Sequence, residues 1–98
     1  MNREFEQRVT SVLVALAEGE VVSYGDVADD AGYPGRSRAV GALLAASTVE
    51  VPWWRVVRSD GRLVTEPAAD QAGRLRGEGV VVTDGRVRAA PRGRFRRR

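Results

Sequence analysis

The segment EVVSYGDVADDAGYPGRSRAVGALLAAS, residues 20–47, decides the fold of this 98-residue chain. Ser23 is a favoured N-cap residue, and Asp26 three positions later gives a weak capping box, so a short helix is predicted over about residues 24–31. A Gly-Tyr-Pro-Gly turn follows, and a second helix is predicted from residue 36 or 37 to about residue 47. Two short helices joined by a tight turn indicate a helix-turn-helix.

The flanking segments add one helix before this unit and a mixture of helix and hairpin after it. Helical spacing of apolar residues predicts a first helix over residues 4–17, and a short helix is predicted over residues 68–76. WRVV and RLV flank the turn SDG and predict a small hairpin, while VVVTDGRVRA predicts a second one because Asp-Gly suits a type I′ turn. The predicted fold is α+β and mostly helical, a winged helix-turn-helix.

The charge of the chain is concentrated at its end. Residues 1–85 contain 9 Arg and all 13 acidic residues, whereas residues 86–98 contain 7 Arg and no acidic residue. We therefore expect one domain over residues 1–90 and a flexible basic tail over residues 91–98. Near DNA such a tail would neutralise phosphates and make binding sensitive to salt.

Composition excludes several classes of function. The chain has no Cys and no His, so it has no thiol nucleophile, no near-neutral imidazole base and none of the usual zinc ligands. No metal or cofactor is expected. No apolar run approaches the roughly 20 residues of a membrane span, and the charged N-terminus does not resemble a signal peptide, so a cytoplasmic protein is expected.

The second helix of the helix-turn-helix carries few side chains that could identify bases. Recognition helices usually offer Arg, Asn, Gln or Lys to base edges in the major groove. This helix offers Arg38 and then small residues, among them Ala39, Gly41, Ala42 and Ala45. Such a surface favours close approach to a backbone or a narrow groove over direct base readout.

The segments SYGDVA, SRAVG and PWWRVV occur in the order and at nearly the spacing found in one family. From about residue 18 to residue 82 the chain closely resembles the DNA-binding domain of the O6-alkylguanine–DNA alkyltransferases. The signature of that family is Pro-Cys-His-Arg-Val, and its Cys accepts the alkyl group. Here the corresponding residues are Pro52, Trp53, Trp54, Arg55 and Val56. A Trp in place of the Cys is the mark of the alkyltransferase-like proteins, which bind and flip the lesion without repairing it.

The resemblance implies roles for individual residues. Arg38 matches the arginine finger that replaces the flipped nucleotide, and Tyr24 matches the tyrosine that rotates the 3′ phosphate. The other DNA contacts that the resemblance implies lie on the predicted helix that carries Arg38; they are Ser37, Ala39, Gly41 and Ala42. Trp53 would face the lesion, in a pocket formed with Pro52, Val56 and Leu44. Behind the pocket, the implied supporting residues are Trp54, Arg55 and Glu78.

Three positions depart from the family pattern. Trp54 replaces the signature His. One interpretation is that Trp54 packs in the core and that its N–H donates to Glu78 or to a carbonyl. The hinge Asn has no clear equivalent near Ser47 and Thr48. The segment that caps the base pocket is replaced by residues 65–68.

The resemblance therefore predicts a non-enzymatic, monomeric protein that binds O6-alkylguanine in double-stranded DNA and flags it for nucleotide excision repair proteins. It would be cytoplasmic, or associated with the nucleoid in a bacterium. One alternative is a sequence-specific winged-helix transcriptional regulator, against which the Ala-rich helix argues. Another is a base-flipping enzyme of the glycosylase type, for which Glu66 or Glu78 would have to supply the acidic group.

Overall fold

The computed structural model of the protein describes residues 2–46, 50–64 and 68–97. Within these ranges, the regular structure consists of four helices and five short strands. In chain order they are α1 (Arg3–Val14), β1 (Glu20–Ser23), α2 (Tyr24–Asp30), α3 (Ser37–Ala46), β2 (Val56–Val57), α4 (Ala68–Gly77), β3 (Val81–Thr83), β4 (Arg86–Ala89) and β5 (Arg92–Gly93). A 3-10 turn over Trp53–Arg55 precedes β2.

The predicted helix-turn-helix is present, and local capping explains where α2 begins. The Ser23 side chain accepts from the Asp26 amide at 3.0 Å, and the Asp26 carboxylate accepts from the Ser23 amide at 3.0 Å, which completes the capping box. Gly32 follows with a φ of 89°, a left-handed conformation that stops the helix. The first helix, α1, ends three residues earlier than predicted, at Val14.

The predicted hairpin of WRVV with RLV is wrong. Val56 and Val57 form β2, which pairs in parallel with β1 in the register Val22 to Val56. Both valines are 0% exposed, and a strand buried on both of its faces is typical of a parallel sheet. The SDG turn itself is present, with the Gly61 amide donating to the Arg58 carbonyl at 2.8 Å.

The second predicted hairpin is confirmed. Strands β3 and β4 pair antiparallel, with Thr83 opposite Arg86 across a two-residue loop. Asp84 has a φ of 54° and Gly85 a φ of 69°. Positive φ at both central residues is the requirement of the type I′ turn that Asp-Gly predicts.

The basic tail differs from the flexible arm expected from the sequence, because its described part packs on the domain. Strand β5 pairs in parallel with β1, so the three-stranded sheet has the order β2-β1-β5. The Arg94 amide donates to the Val21 carbonyl at 2.9 Å, and the Ala90 amide donates to the Phe95 carbonyl at 3.0 Å. Backbone pairing with an unoccupied strand edge thus holds a segment that has almost no apolar residues of its own.

The β1–β2 pair lies between two apolar cores. Val22 and Val56 belong to the first core, which packs under α1, α2 and α3. Val21 and Val57, their neighbours in sequence, belong to the second core, which packs under α4 and the β3–β4 hairpin. Because successive side chains of a strand point to opposite faces, two short strands contribute to both cores.

Candidate nucleic-acid interface

Helix α3 presents a smooth surface with one long cation near its start. Arg38 and Ala42 are exposed, as are Ala45 and Ala46 one turn further on. Residues four positions apart share a helix face, so Arg38 leads a strip of small side chains. The opposite face is anchored by Val40, which is fully buried. Of the other residues implied on this helix, Ser37 is exposed, and Ala39 and Gly41 are half-buried.

Tyr24 begins α2 and lies beside α3. Its ring atoms Cδ1 and Cε1 are 3.9 Å from where a Cβ on Gly41 would stand. Burial raises the pKa of the Tyr24 hydroxyl, and the positive charge of Arg58 acts in the opposite direction. The phenol therefore remains protonated at neutral pH and can donate a hydrogen bond to an anion.

The two tryptophans occupy the 3-10 turn before β2, not the start of a strand. Trp53 packs against the first core and Trp54 against the second. Their rings are perpendicular, with centroids 6.1 Å apart. Both indoles are half-buried, so each has a packed side and a side that remains accessible.

The four residues implied for a lesion pocket divide into a surface group and a core residue. Trp53, Leu44 and Pro52 are half-buried, and the first two pack on the same core. Val56 is 0% exposed, so in such a pocket it would support the other three residues from beneath and would not line the wall. The predicted wall at Val56 is therefore corrected to a supporting position.

Glu78 brings together the other two residues that were predicted to support the site, Trp54 and Arg55. Its carboxylate accepts from Trp54 Nε1 at 2.8 Å, from Arg55 Nε at 2.9 Å and Nη2 at 2.8 Å, and from the Gly19 amide at 2.9 Å. Arg55 also donates from Nη1 to the Leu16 carbonyl at 2.9 Å. Glu78 is one of the two acceptors that the sequence analysis predicted for the indole N–H of Trp54.

The Glu78 network is an almost enclosed ion pair. The side chains of Arg55 and Glu78 are only 14% and 10% exposed. Burial alone would raise the pKa of Glu78, but hydrogen bonds from Arg55, the Gly19 amide and Trp54 outweigh burial and hold that pKa below 4.5. Glu78 is thus an ionised structural carboxylate, which does not suit it to proton donation; Glu66, the other acidic candidate, lies outside the described residues.

Two residues of α4 complete the support of the tryptophan turn, and sequence reasoning missed both. Gln71 is 0% exposed; its amide donates to the carbonyls of Trp54 and Val56 at 3.2 and 3.0 Å. The guanidinium carbon of Arg74 lies 4.8 Å from the Trp54 ring centroid and 5.7 Å from that of Trp53. A Gln four residues before Leu75, on the apolar face of a helix, is the signal that could have identified Gln71.

Some predicted positions lie outside the described residues, and the described residues contain neither a metal-binding cluster nor a membrane-spanning helix. The positions not described include Ser47 and Thr48, and residues 65–67 of the segment 65–68 that replaces the pocket cap. Within the described ranges, no group of three or more His, Cys, Asp or Glu side chains could hold a metal ion. None of the described helices has the length and apolarity needed to cross a membrane.

Comparisons with known proteins agree on one family. The family model for the 6-O-methylguanine DNA methyltransferase DNA-binding domain matches residues 4–80. A DNA base-flipping protein of Vibrio parahaemolyticus is 32% identical over 85 residues, covering 83% of this chain and 85% of the relative. The methylated-DNA--protein-cysteine methyltransferase of Mycobacterium leprae is 40% identical over 63 residues, 62% of this chain, but this match spans only 38% of that enzyme.

A solved structure gives the same result in three dimensions. S. pombe Atl1, in complex with damaged DNA containing O6-carboxymethylguanine, superposes with a TM-score of 0.76 at 29% identity. The match covers 85% of this chain and 82% of Atl1. The fold is thus similar to that of Atl1, and the chain belongs to the family of the 6-O-methylguanine DNA methyltransferase DNA-binding domain.

Proposed function

We propose that this protein is a non-enzymatic sensor that binds alkylated guanine in double-stranded DNA and flips the damaged base out of the helix. The observation that carries the proposal is Trp53, an indole at the position of the family's nucleophilic Cys in a chain without any Cys. An indole at this place can stack on a base and has no thiolate to accept an alkyl group. The names of the relatives support the same conclusion, since one is a base-flipping protein and another binds damaged DNA.

The geometry of α2 and α3 supports a route for the flipped base. The strip of small residues on α3 allows the helix to approach a groove closely, while Arg38 extends from its first turn. A planar guanidinium can fill the space vacated in the base stack and still donate hydrogen bonds. Tyr24, as a protonated phenol, would hold the phosphate beside the flipped nucleotide. Extrusion costs a few kcal/mol, and least for a poorly paired damaged base.

In this proposal, the residues beneath the pocket would fix its position. Trp53 would stack on the base, with Pro52 and Leu44 beside it and Val56 below. Trp54, Arg55 and Glu78 would fix the tryptophan turn through their hydrogen bonds. The protein would act as a monomer in the cytoplasm or nucleoid and pass the lesion to nucleotide excision repair. In that case, cells that lack both this protein and excision repair should be no more sensitive to alkylating agents than cells that lack excision repair alone.

The deciding experiment is equilibrium binding to two duplexes that differ by a single O6-methylguanine, followed by fluorescence anisotropy at physiological salt. We expect at least tenfold tighter binding of the damaged duplex, or about 1.4 kcal/mol. Arg38→Ala should remove this preference. Arg36→Ala, a change at another exposed Arg two residues earlier, should weaken both complexes and keep the ratio.

Two outcomes would contradict the proposal. Equal binding of both duplexes, with preference for one undamaged sequence, would favour a winged-helix transcriptional regulator. Free alkylated base, or loss of the alkyl group after incubation with damaged DNA, would identify an enzyme.

A further inference from the structure

The three parallel strands run towards the same edge of the sheet, and an arginine follows each of the two outer strands there. In the order β2-β1-β5, these strands are followed by Arg58, Tyr24 and Arg94. The register sets Ser23 opposite Val57 and Val21 opposite Gly93. Tyr24 is therefore beside Arg58, whereas Arg94, which follows Gly93 on the other side of β1, is level with Val22. The crevice outside the carboxyl ends of parallel strands is a common place for ligands.

The contacts of Arg94 place its guanidinium next to the segment that carries Arg58. Arg94 donates from Nη1 to Asp26 Oδ1 at 3.0 Å and from Nε to the Ser59 carbonyl at 3.1 Å. Asp26 is two residues after Tyr24, and Ser59 directly follows Arg58. The guanidinium of Arg94 thus spans from α2 to the segment after β2.

The charge at this edge is positive but partly compensated. Asp26 is paired with Arg94, and Asp60, one residue beyond Ser59, is paired with Arg62 and Arg86. A guanidinium has five N–H donors in a planar fork. The two contacts of Arg94 use one donor on Nε and one on Nη1, so Arg94 can keep its position and still bind an oxyanion. Its side chain is 40% exposed, and Arg58 is exposed as well.

We propose that Arg58 and Arg94 form a binding site for a phosphodiester of the DNA backbone, named here the strand-end site. Two guanidinium groups on one edge match the oxyanion chemistry of a phosphate. The C-terminal segment then has a specific task, which is to bring Arg94 to the site through the pairing of β5 with β1. This inference rests on the proposed binding of double-stranded DNA.

The test measures the dependence of affinity on salt for Arg58→Gln and Arg94→Gln. Binding to the undamaged duplex and to the O6-methylguanine duplex is followed between about 50 and 200 mM salt. Loss of one phosphate contact should reduce the slope of log K against log[salt] by about 0.9. Raising the salt concentration over this range should therefore reduce the affinity of each variant by a factor that is about 3.5 times smaller than the factor for the wild type. Because phosphates carry no base information, the ratio between the two duplexes should not change.

Two further variants separate the role of charge from that of structure. Arg94→Lys keeps the positive charge and should retain the wild-type slope. Arg88→Gln is the matched control: Arg88 is 43% exposed and paired with Asp84, but it lies on β4, in the other sheet. Its slope should equal that of the wild type. Thermal melting of each variant checks folding, and if Arg94→Gln is unfolded, Arg58→Gln decides.

Failure of this inference is distinguishable from failure of the proposed function. A wild-type slope in both Gln variants, or an equal reduction in Arg88→Gln, would overturn the strand-end site even if the protein prefers the lesion. No preference for the lesion, with reduced slopes in the two Gln variants, would overturn the lesion sensor and keep the site. A wild-type protein that binds neither duplex would overturn both.

Discussion

Trp53 and Trp54 are adjacent in the sequence but contribute to different cores. A 3-10 turn rotates by about 120° per residue, so consecutive side chains leave it in different directions. Trp54 turns towards α4 and bonds to Glu78, whereas Trp53 packs against the helices of the helix-turn-helix. Because the two side chains pack against different cores, we expect mutations of Trp53 and of Trp54 to have different effects.

Trp53→Ala should weaken binding to the damaged duplex by roughly 1–3 kcal/mol through loss of stacking. The matched variant Trp54→Phe should change lesion binding much less, because the hydrogen bonds of Arg55 to Glu78 and of Gln71 to the Trp54 carbonyl still hold the tryptophan turn. It should instead lower the free energy of unfolding by about 1 kcal/mol, because the Glu78 carboxylate loses one donor. Anisotropy titrations and urea denaturation of both variants provide the measurement. Unaltered lesion binding by Trp53→Ala would argue against its place in the pocket.

Glu78→Gln should lower the free energy of unfolding at pH 7 by about 3 kcal/mol. It leaves the Arg55 charge without its carboxylate in a nearly closed environment. The folded-state pKa of Glu78 is below its ordinary value of 4.5. Its contribution is therefore complete above about pH 4.5 and is lost as the pH falls through the folded-state pKa. Thermal melting from pH 7 to pH 3 should show a smaller acid-dependent decrease in the variant than in the wild type.

The control for Glu78→Gln is Asp70→Asn, which breaks the exposed pair with Arg74, where both side chains are about half exposed. An exposed helical pair contributes roughly 0.3–0.5 kcal/mol. Equal losses in the two variants would show that burial does not distinguish these ion pairs.

At the scale of elements, the sequence predicted what depends on neighbours in the chain and missed what depends on distant partners. Both helices of the helix-turn-helix and the β3–β4 hairpin follow from caps, periodicity and turn residues. Strands β1, β2 and β5 have only four, two and two residues, too few for a periodic pattern. Their pairing connects residues far apart in the sequence, so it could not be recognised locally.

Gly93 is an element-scale test of the β5–β1 contact. Its φ is 86°, and a Cβ added there would overlap the Val21 carbonyl oxygen. Gly35 has a similar φ of 83° but has no atom within 4 Å of the added Cβ. Both Ala variants should lose about 1–2 kcal/mol for the left-handed conformation, and Gly93→Ala should lose more. Denaturation of the two variants measures the difference, and equal losses would contradict close packing of β5 on β1.

This packing also changes how the basic segment should be studied. Deletion after Pro91 would remove β5 together with the charges, so reduced DNA binding could reflect a weakened fold. Substitution of single arginines separates the two effects.

At the scale of the whole molecule, β1 and β2 are shared by the two cores, which should make unfolding a single cooperative event. Val21→Ala removes contacts only from the second core and Val22→Ala only from the first. Each should lower the free energy of unfolding by about 2 kcal/mol. Circular dichroism and Trp fluorescence should report coincident transitions in both variants. Separate transitions would show that the two cores unfold independently.

The sequence by itself determined the helix-turn-helix, the Asp-Gly hairpin and the presence of indoles where the family signature has Cys and His. These features depend on residues a few positions apart, whose preferences act within one turn or one helix. Only the tertiary structure decided that Val56 is buried in the first core, that Gln71 and Glu78 hold the tryptophan turn, and that part of the basic tail forms β5. Those outcomes depend on backbone and side-chain groups that are distant in the sequence and meet only when the two cores close around β1.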